Sequence, residues 1–96
     1  MREKRKAYEE KLDAQLNERN AQIALLKAKA ENAEADAKID YYQAIDALEH
    51  KQKKARTKLQ ELKTSSDEAW EAVKAGAEKA WGEVKTAYHD AASKFK

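Results

Sequence analysis

Thiolate and imidazole groups, the commonest nucleophiles and metal ligands, are scarce in this 96-residue chain, which has two histidines and no cysteine. His50 sits in Glu49-His50-Lys51-Gln52-Lys53-Lys54, where the surrounding cations would repel a metal ion. His89 is followed by Asp90, but adjacent residues of a helix point apart, so the two cannot act on one atom. No glycine-rich phosphate loop or nucleophile motif is present. The expectation is a non-enzymatic protein with no catalytic residues, no cofactor and no metal site.

Phosphate contact is the next chemistry to consider. Basic residues cluster in Met1-Arg2-Glu3-Lys4-Arg5-Lys6 and again at Lys51, Lys53, Lys54, Arg56 and Lys58. The second group spreads around a helical wheel, and no aromatic ring is interleaved to stack on bases. A net charge of +2 gives no long-range pull on nucleic acid, which is not an expected partner. A solvated charged surface fits better, with Glu49 and Lys53, and Glu34 and Lys38, spaced for pairing at i and i+4.

The aromatic residues of the last third follow a repeat. Ala69-Trp70 and Val73-Lys74 recur as Ala80-Trp81 and Val84-Lys85, and Ala91, Phe95 and Lys96 continue the frame. Eleven residues close almost three helical turns, so each unit returns to nearly the same face. Trp70, Val73, Trp81, Val84, Tyr88 and Phe95 share that face, with several alanines. Such a face can dock on the rest of the chain or on a second copy, lie on a membrane surface, or fold only on drying or on a protein partner. For lipid speak the interfacial rings, with Lys74 and Lys85 able to snorkel. Against it, residues 66–96 carry five lysines and six acids, so anionic headgroups would not attract the segment. The expected use is docking in a hairpin; peripheral membrane binding is the alternative.

Composition says what must position these side chains. Hydrophobic residues make up 42%, half of them alanine; charged residues make up 40%, proline is absent, there are two glycines, and mean hydropathy is −1.05. This is the mixture of long helices and coiled coils, predicting an all-α fold in one small domain. Without cysteine there is no disulfide framework. No apolar run follows the basic N-terminus, so no signal peptide is expected, and no stretch could span a bilayer. A cytoplasmic location is the default expectation.

From Tyr8 apolar positions alternate at spacings of three and four through Leu12, Leu16, Ile23, Leu26, Ala30, Ala33 and Ala37, with Arg19 where an apolar residue is expected. After an extra four residues the seam resumes as Tyr41, Ile45, Leu48, Gln52, Ala55, Leu59 and Leu62, which reads as a stutter in a continuous helix. Tyr41 would fill the wider gap there, with Tyr42 at its flank. No strong breaker lies between Ala28 and Lys38. The predicted organisation is a long coiled-coil helix over 1–64, running from about residue 3 to 63, and an amphipathic helix over 65–96. Ser65 and Glu68 fit a capping box at the start of the second. Gly76, at the edge of the apolar face, would permit close approach of a neighbouring helix; Gly82 faces away.

A helix of roughly 60 residues spans about 90 Å, and one of about 30 residues covers half of it. Leu12, Leu16, Ile23 and Leu26 would then lie bare, which argues for a homo-oligomer held through a seam that also includes Tyr41, Ile45, Leu48, Leu59 and Leu62. The alternative is a bend within 28–37, giving three helices of about 30 residues in one bundle.

The chain also resembles a family of short bacterial coiled-coil proteins described as stress-response proteins, known from cyanobacteria and other bacteria. The resemblance is carried by Ala7-Tyr8 with Leu12, Leu26-Lys27-Ala28-Lys29-Ala30, Ala37-Lys38-Ile39-Asp40-Tyr41-Tyr42, Lys58-Leu59-Gln60-Glu61-Leu62-Lys63, Ser66-Asp67-Glu68-Ala69-Trp70, Ala80-Trp81 and Ser93-Lys94-Phe95-Lys96. The tyrosine pair and the two tryptophans are its most specific parts. An aromatic residue is common in that family where this chain has Arg19. The resemblance implies a helical, soluble protein and carries no biochemical activity across. Together these readings predict a structural or stress-protective protein acting through self-association or a protein partner.

Overall fold

The computed structural model describes residues 2–95, which form three helices: α1 (Arg2–Glu31), α2 (Ala35–Thr64) and α3 (Asp67–Ser93). Thirty residues of helix measure about 45 Å, and the bundle measures 51 × 18 × 17 Å. α2 runs antiparallel to α1, as Lys27–Glu49 and Asp13–Arg56 show together, and α1 runs parallel to α3, as Arg5–Asp67 and Arg19–Trp81 show, so α2 is antiparallel to both neighbours. No described helix is long and apolar enough to cross a membrane.

The continuous helix predicted over 1–64 is therefore corrected: it breaks at Asn32–Glu34, the bend weighed as the alternative. The break has little turn chemistry of its own. Asn32 and Ala33 donate their N–H groups to Lys29 O and Ala30 O, tightening the last turn, and Asn32 Nδ2 donates to Ala28 O. Packing supplies the reason. Folding back buries Leu12, Leu16, Ile23 and Leu26 to 4% exposure or less, and each such side chain contributes about 1.5–3 kcal/mol. That sum outweighs a few residues of lost helix.

The second turn is better specified, one residue later than expected. Ser66 caps α3, its Oγ accepting from Ala69 N, whereas Ser65 ends α2 and donates its Oγ to Leu62 O. The expected capping box of Ser65 with Glu68 is thus replaced by a Ser66 cap, with Asp67 and Glu68 in the first turn where negative charge suits the helix dipole.

The seam of the first two helices forms the core. Ile45, Leu48, Ala55, Leu59 and Leu62 of α2 are buried with Trp70, Ala77, Ala80, Val84 and Ala91 of α3. Tyr8, Tyr41, Val73, Trp81, Tyr88 and Phe95 pack at its margin, half-buried. The bare stripe that argued for self-association does not exist in the folded chain, because α2 and α3 cover it. Close approach does not explain Gly76 either: a Cβ at Gly76 or Gly82 would meet nothing within 4 Å.

Candidate functional site

The sites with the densest chemistry lie between helices. At one end of the bundle the N-termini of α1 and α3 meet the C-terminus of α2, and Arg5 joins them. Its Nη2 donates to Leu62 O and Ser65 O at 3.3 and 3.1 Å, and Nη1 donates to Asp67 Oδ1 at 2.6 Å. A cation there complements the negative end of α2. Trp70 Nε1 donates to Glu9 Oε2 at 2.9 Å, and the indole meets Tyr8 edge to face. Lys74 lies over both rings, 4.9 Å from Tyr8 and 5.4 Å from Trp70. Burial, with Glu78 beside it, pushes the Tyr8 hydroxyl up to about 12.

One repeat further along, Arg19 occupies the place of Tyr8. Its guanidinium lies 4.6 Å from the Tyr88 ring centroid and 5.6 Å from that of Trp81, and Nη1 donates to Gln22 Oε1 at 2.7 Å. The expected charge on the seam is therefore folded onto ring faces, where a desolvated cation is attracted by the π quadrupole. Lys85 lies 5.9 Å from Trp81 on the same stripe. At the far end Tyr41 stacks on Phe95, centroids 4.1 Å apart at 19°, so its gap is filled by the end of the chain; Tyr42 stays exposed.

Between α1 and α2 the feature with least precedent in the sequence is Gln52. It is 5% exposed, and its Nε2 donates to Leu16 O at 2.6 Å and Asn20 Oδ1 at 3.0 Å, while Oε1 is buried without a partner. It lines a shallow groove with Asn20, Ile23, Ala24 and Lys27. Arg56 alongside donates to Asp13 and Asn17. Only the seam register placed Gln52 inward; its bonds to α1 could not be read before the fold-back was known.

The basic cluster is spread over separate pairings. Lys51 and Lys54 pair with Glu83, holding its carboxyl below the usual range, and Lys58 pairs with Glu61. Glu49, expected beside Lys53, reaches across to Lys27 at 2.7 Å instead and raises its pKa. The expected Glu34–Lys38 ion pair does not form, since Glu34 stands in the turn ahead of α2. His50 and His89 are both exposed. Among the described residues no group of three or more His, Cys, Asp and Glu could hold a metal ion. The geometry is that of a three-helix bundle whose polar side chains bind helix to helix. No protein-family model, no curated protein and no solved structure matches the chain.

Proposed function

We propose that this chain is a non-enzymatic structural or stress-protective helical protein that acts through contact with itself or with a protein partner. The observation that carries the reading is the engagement of the side chains best suited to bind or react. Arg5, Glu9, Gln52, Arg56 and Trp70 hold one helix to another. What faces outward is mostly a field of both charge signs, 40% of the sequence being charged, with Leu25 and Ile39 exposed among them. Such a surface stays hydrated. The resemblance to bacterial stress-response proteins agrees with this use, and a cytoplasmic location goes with it.

The test is protection of a labile client. A dehydrogenase dried and rehydrated, or heated, with equimolar protein should keep several-fold more activity than with an equal mass of albumin. Protection no better than that of albumin removes the protective reading.

Peripheral membrane binding is the second reading, favoured by one observation: α3 segregates apolar from polar residues most strongly of the three helices, and Trp81, Tyr88 and Phe95 stay half-exposed, with Lys85 beside Trp81. It requires the face that holds buried Trp70 and Val84 to leave the bundle. Flotation with neutral and anionic vesicles at physiological salt decides it; protein that stays at the bottom with both rules it out.

A further inference from the structure

The two turns of the bundle are built differently. The α2–α3 turn has a capping serine and the Arg5 clamp. The α1–α2 turn lacks such devices. Glu34 makes no side-chain cap bond, and among the described residues none has a positive φ. The segment from Ala28 to Lys38 contains neither glycine nor proline, and alanine, glutamate and lysine dominate it. Its sequence is therefore as compatible with helix as with the bend.

The phase of the two core stripes makes the straight form usable. Ile23 and Ile45, Leu26 and Leu48, and Ala30 and Gln52 are each separated by 22 residues, about six helical turns. If residues 32–34 became helical, the stripes of α1 and α2 would fall on one side of a continuous helix about 95 Å long. Such a chain has α1 bare and the α1-shaped groove on its own α2 and α3 empty. A second opened copy satisfies both.

We infer that the α1–α2 turn is a hinge through which two copies of this chain exchange α1, forming a swapped dimer about twice the length of the monomer. The inference rests on the self-association arm of the proposed function and names its partner and route. Every contact now made by α1 is made again between chains: Gln52 to Leu16 and Asn20, Arg56 to Asp13 and Asn17, Lys27 to Glu49, and Arg5 to Asp67. The dimer adds only helical hydrogen bonds at the two hinges, set against lost translational freedom. The exchange is therefore driven by concentration.

Ala35→Pro blocks the open form selectively. Ala35 is the first residue of α2, where proline is favoured, and Glu34 before it has φ −65° and ψ 153°, the extended backbone that proline demands of its predecessor. In a continuous helix the same proline would lose its bond to Glu31 O and clash with that carbonyl, weakening the open form about a hundredfold per hinge.

Equal amounts of ¹⁴N- and ¹⁵N-labelled full-length protein are unfolded together, refolded at high and low concentration, sized by light scattering, and coupled with a zero-length carbodiimide. The Lys27–Glu49 pair, 2.7 Å apart, is the reporter. Expected at high concentration is a dimer whose Lys27–Glu49 cross-links join light to heavy chains, and which Ala35→Pro abolishes while leaving a helical monomer. A dimer cross-linked only within chains, or one that survives Ala35→Pro, overturns the exchange and leaves self-association standing. A monomer under every condition overturns both.

Discussion

Tyr8 of α1 meets Trp70 of α3 edge to face, with ring centroids 5.7 Å apart at 83°. Eleven residues further along both helices Arg19 meets Trp81 at the same offset, 62 residues, that sets Arg5 against Asp67. The repeat in α3 is thus the pitch at which one parallel helix is read against another. Each unit presents a tryptophan to α1 and a lysine, Lys74 or Lys85, over its ring.

Arg19 is the place to test that register. Replacing it with alanine removes the cation from Trp81 and Tyr88 and opens a gap beside both rings. A loss of about 1–2 kcal/mol is expected in urea unfolding, with a shift in tryptophan emission. Arg19→Trp places an aromatic ring against Trp81 and Tyr88 and should recover most of the loss. An Arg19→Ala protein as stable as the parent would mean that the guanidinium is only resting on the rings.

Much of this architecture is legible in the sequence. The three-and-four spacing identified Leu12, Leu16, Ile23, Leu26, Ile45, Leu48, Leu59 and Leu62 as one apolar stripe, and all are buried. What covers the stripe was not legible, because a stutter and a bend look alike in a segment free of glycine and proline. Long-range burial chose between them, and local propensity carries no trace of that choice. The Arg5 clamp was hidden for the same reason: a lysine- and arginine-rich N-terminus reads as solvated until the end of α2 is brought beside it.

The glycines of α3 are a second test. Both sit inside a helix with open space where a Cβ would be, so nothing in the packing opposes alanine. Gly76→Ala and Gly82→Ala should each stabilise the protein by about 0.5–1 kcal/mol, raising Tm by several degrees. Destabilisation by either would show that α3 needs the freedom of glycine at that point.

Gln52 separates packing from specificity. Gln52→Ala leaves a cavity between α1 and α2 and should cost about 2 kcal/mol. Gln52→Leu fills the space and removes the unpartnered Oε1, so it should melt at or above the parent. A leucine variant clearly less stable than the parent would mean that the bonds to Leu16 O and Asn20 Oδ1 outweigh burial.

Alkaline stability should report on Tyr8. Its hydroxyl is raised from 10.0 to about 12 by burial and then by Glu78, so the folded state favours the neutral phenol. That contribution is fully present below pH 10, where folded and unfolded chains are both protonated. It is lost as pH rises from 10 through 12, because only the unfolded chain ionises readily over that interval. Lys27, raised by its hydrogen bond to Glu49, acts in the same direction. Tm should therefore fall above pH 10, and Tyr8→Phe should flatten that fall without removing it. Phenolate absorbance in the folded protein gives the independent check. A late phenol ionisation, near pH 12, should be present in the parent and missing in Tyr8→Phe. If no such late step is seen while the helical signal holds, Tyr8 is not shielded against Trp70, and the parallel register of α1 and α3 loses one of its contacts.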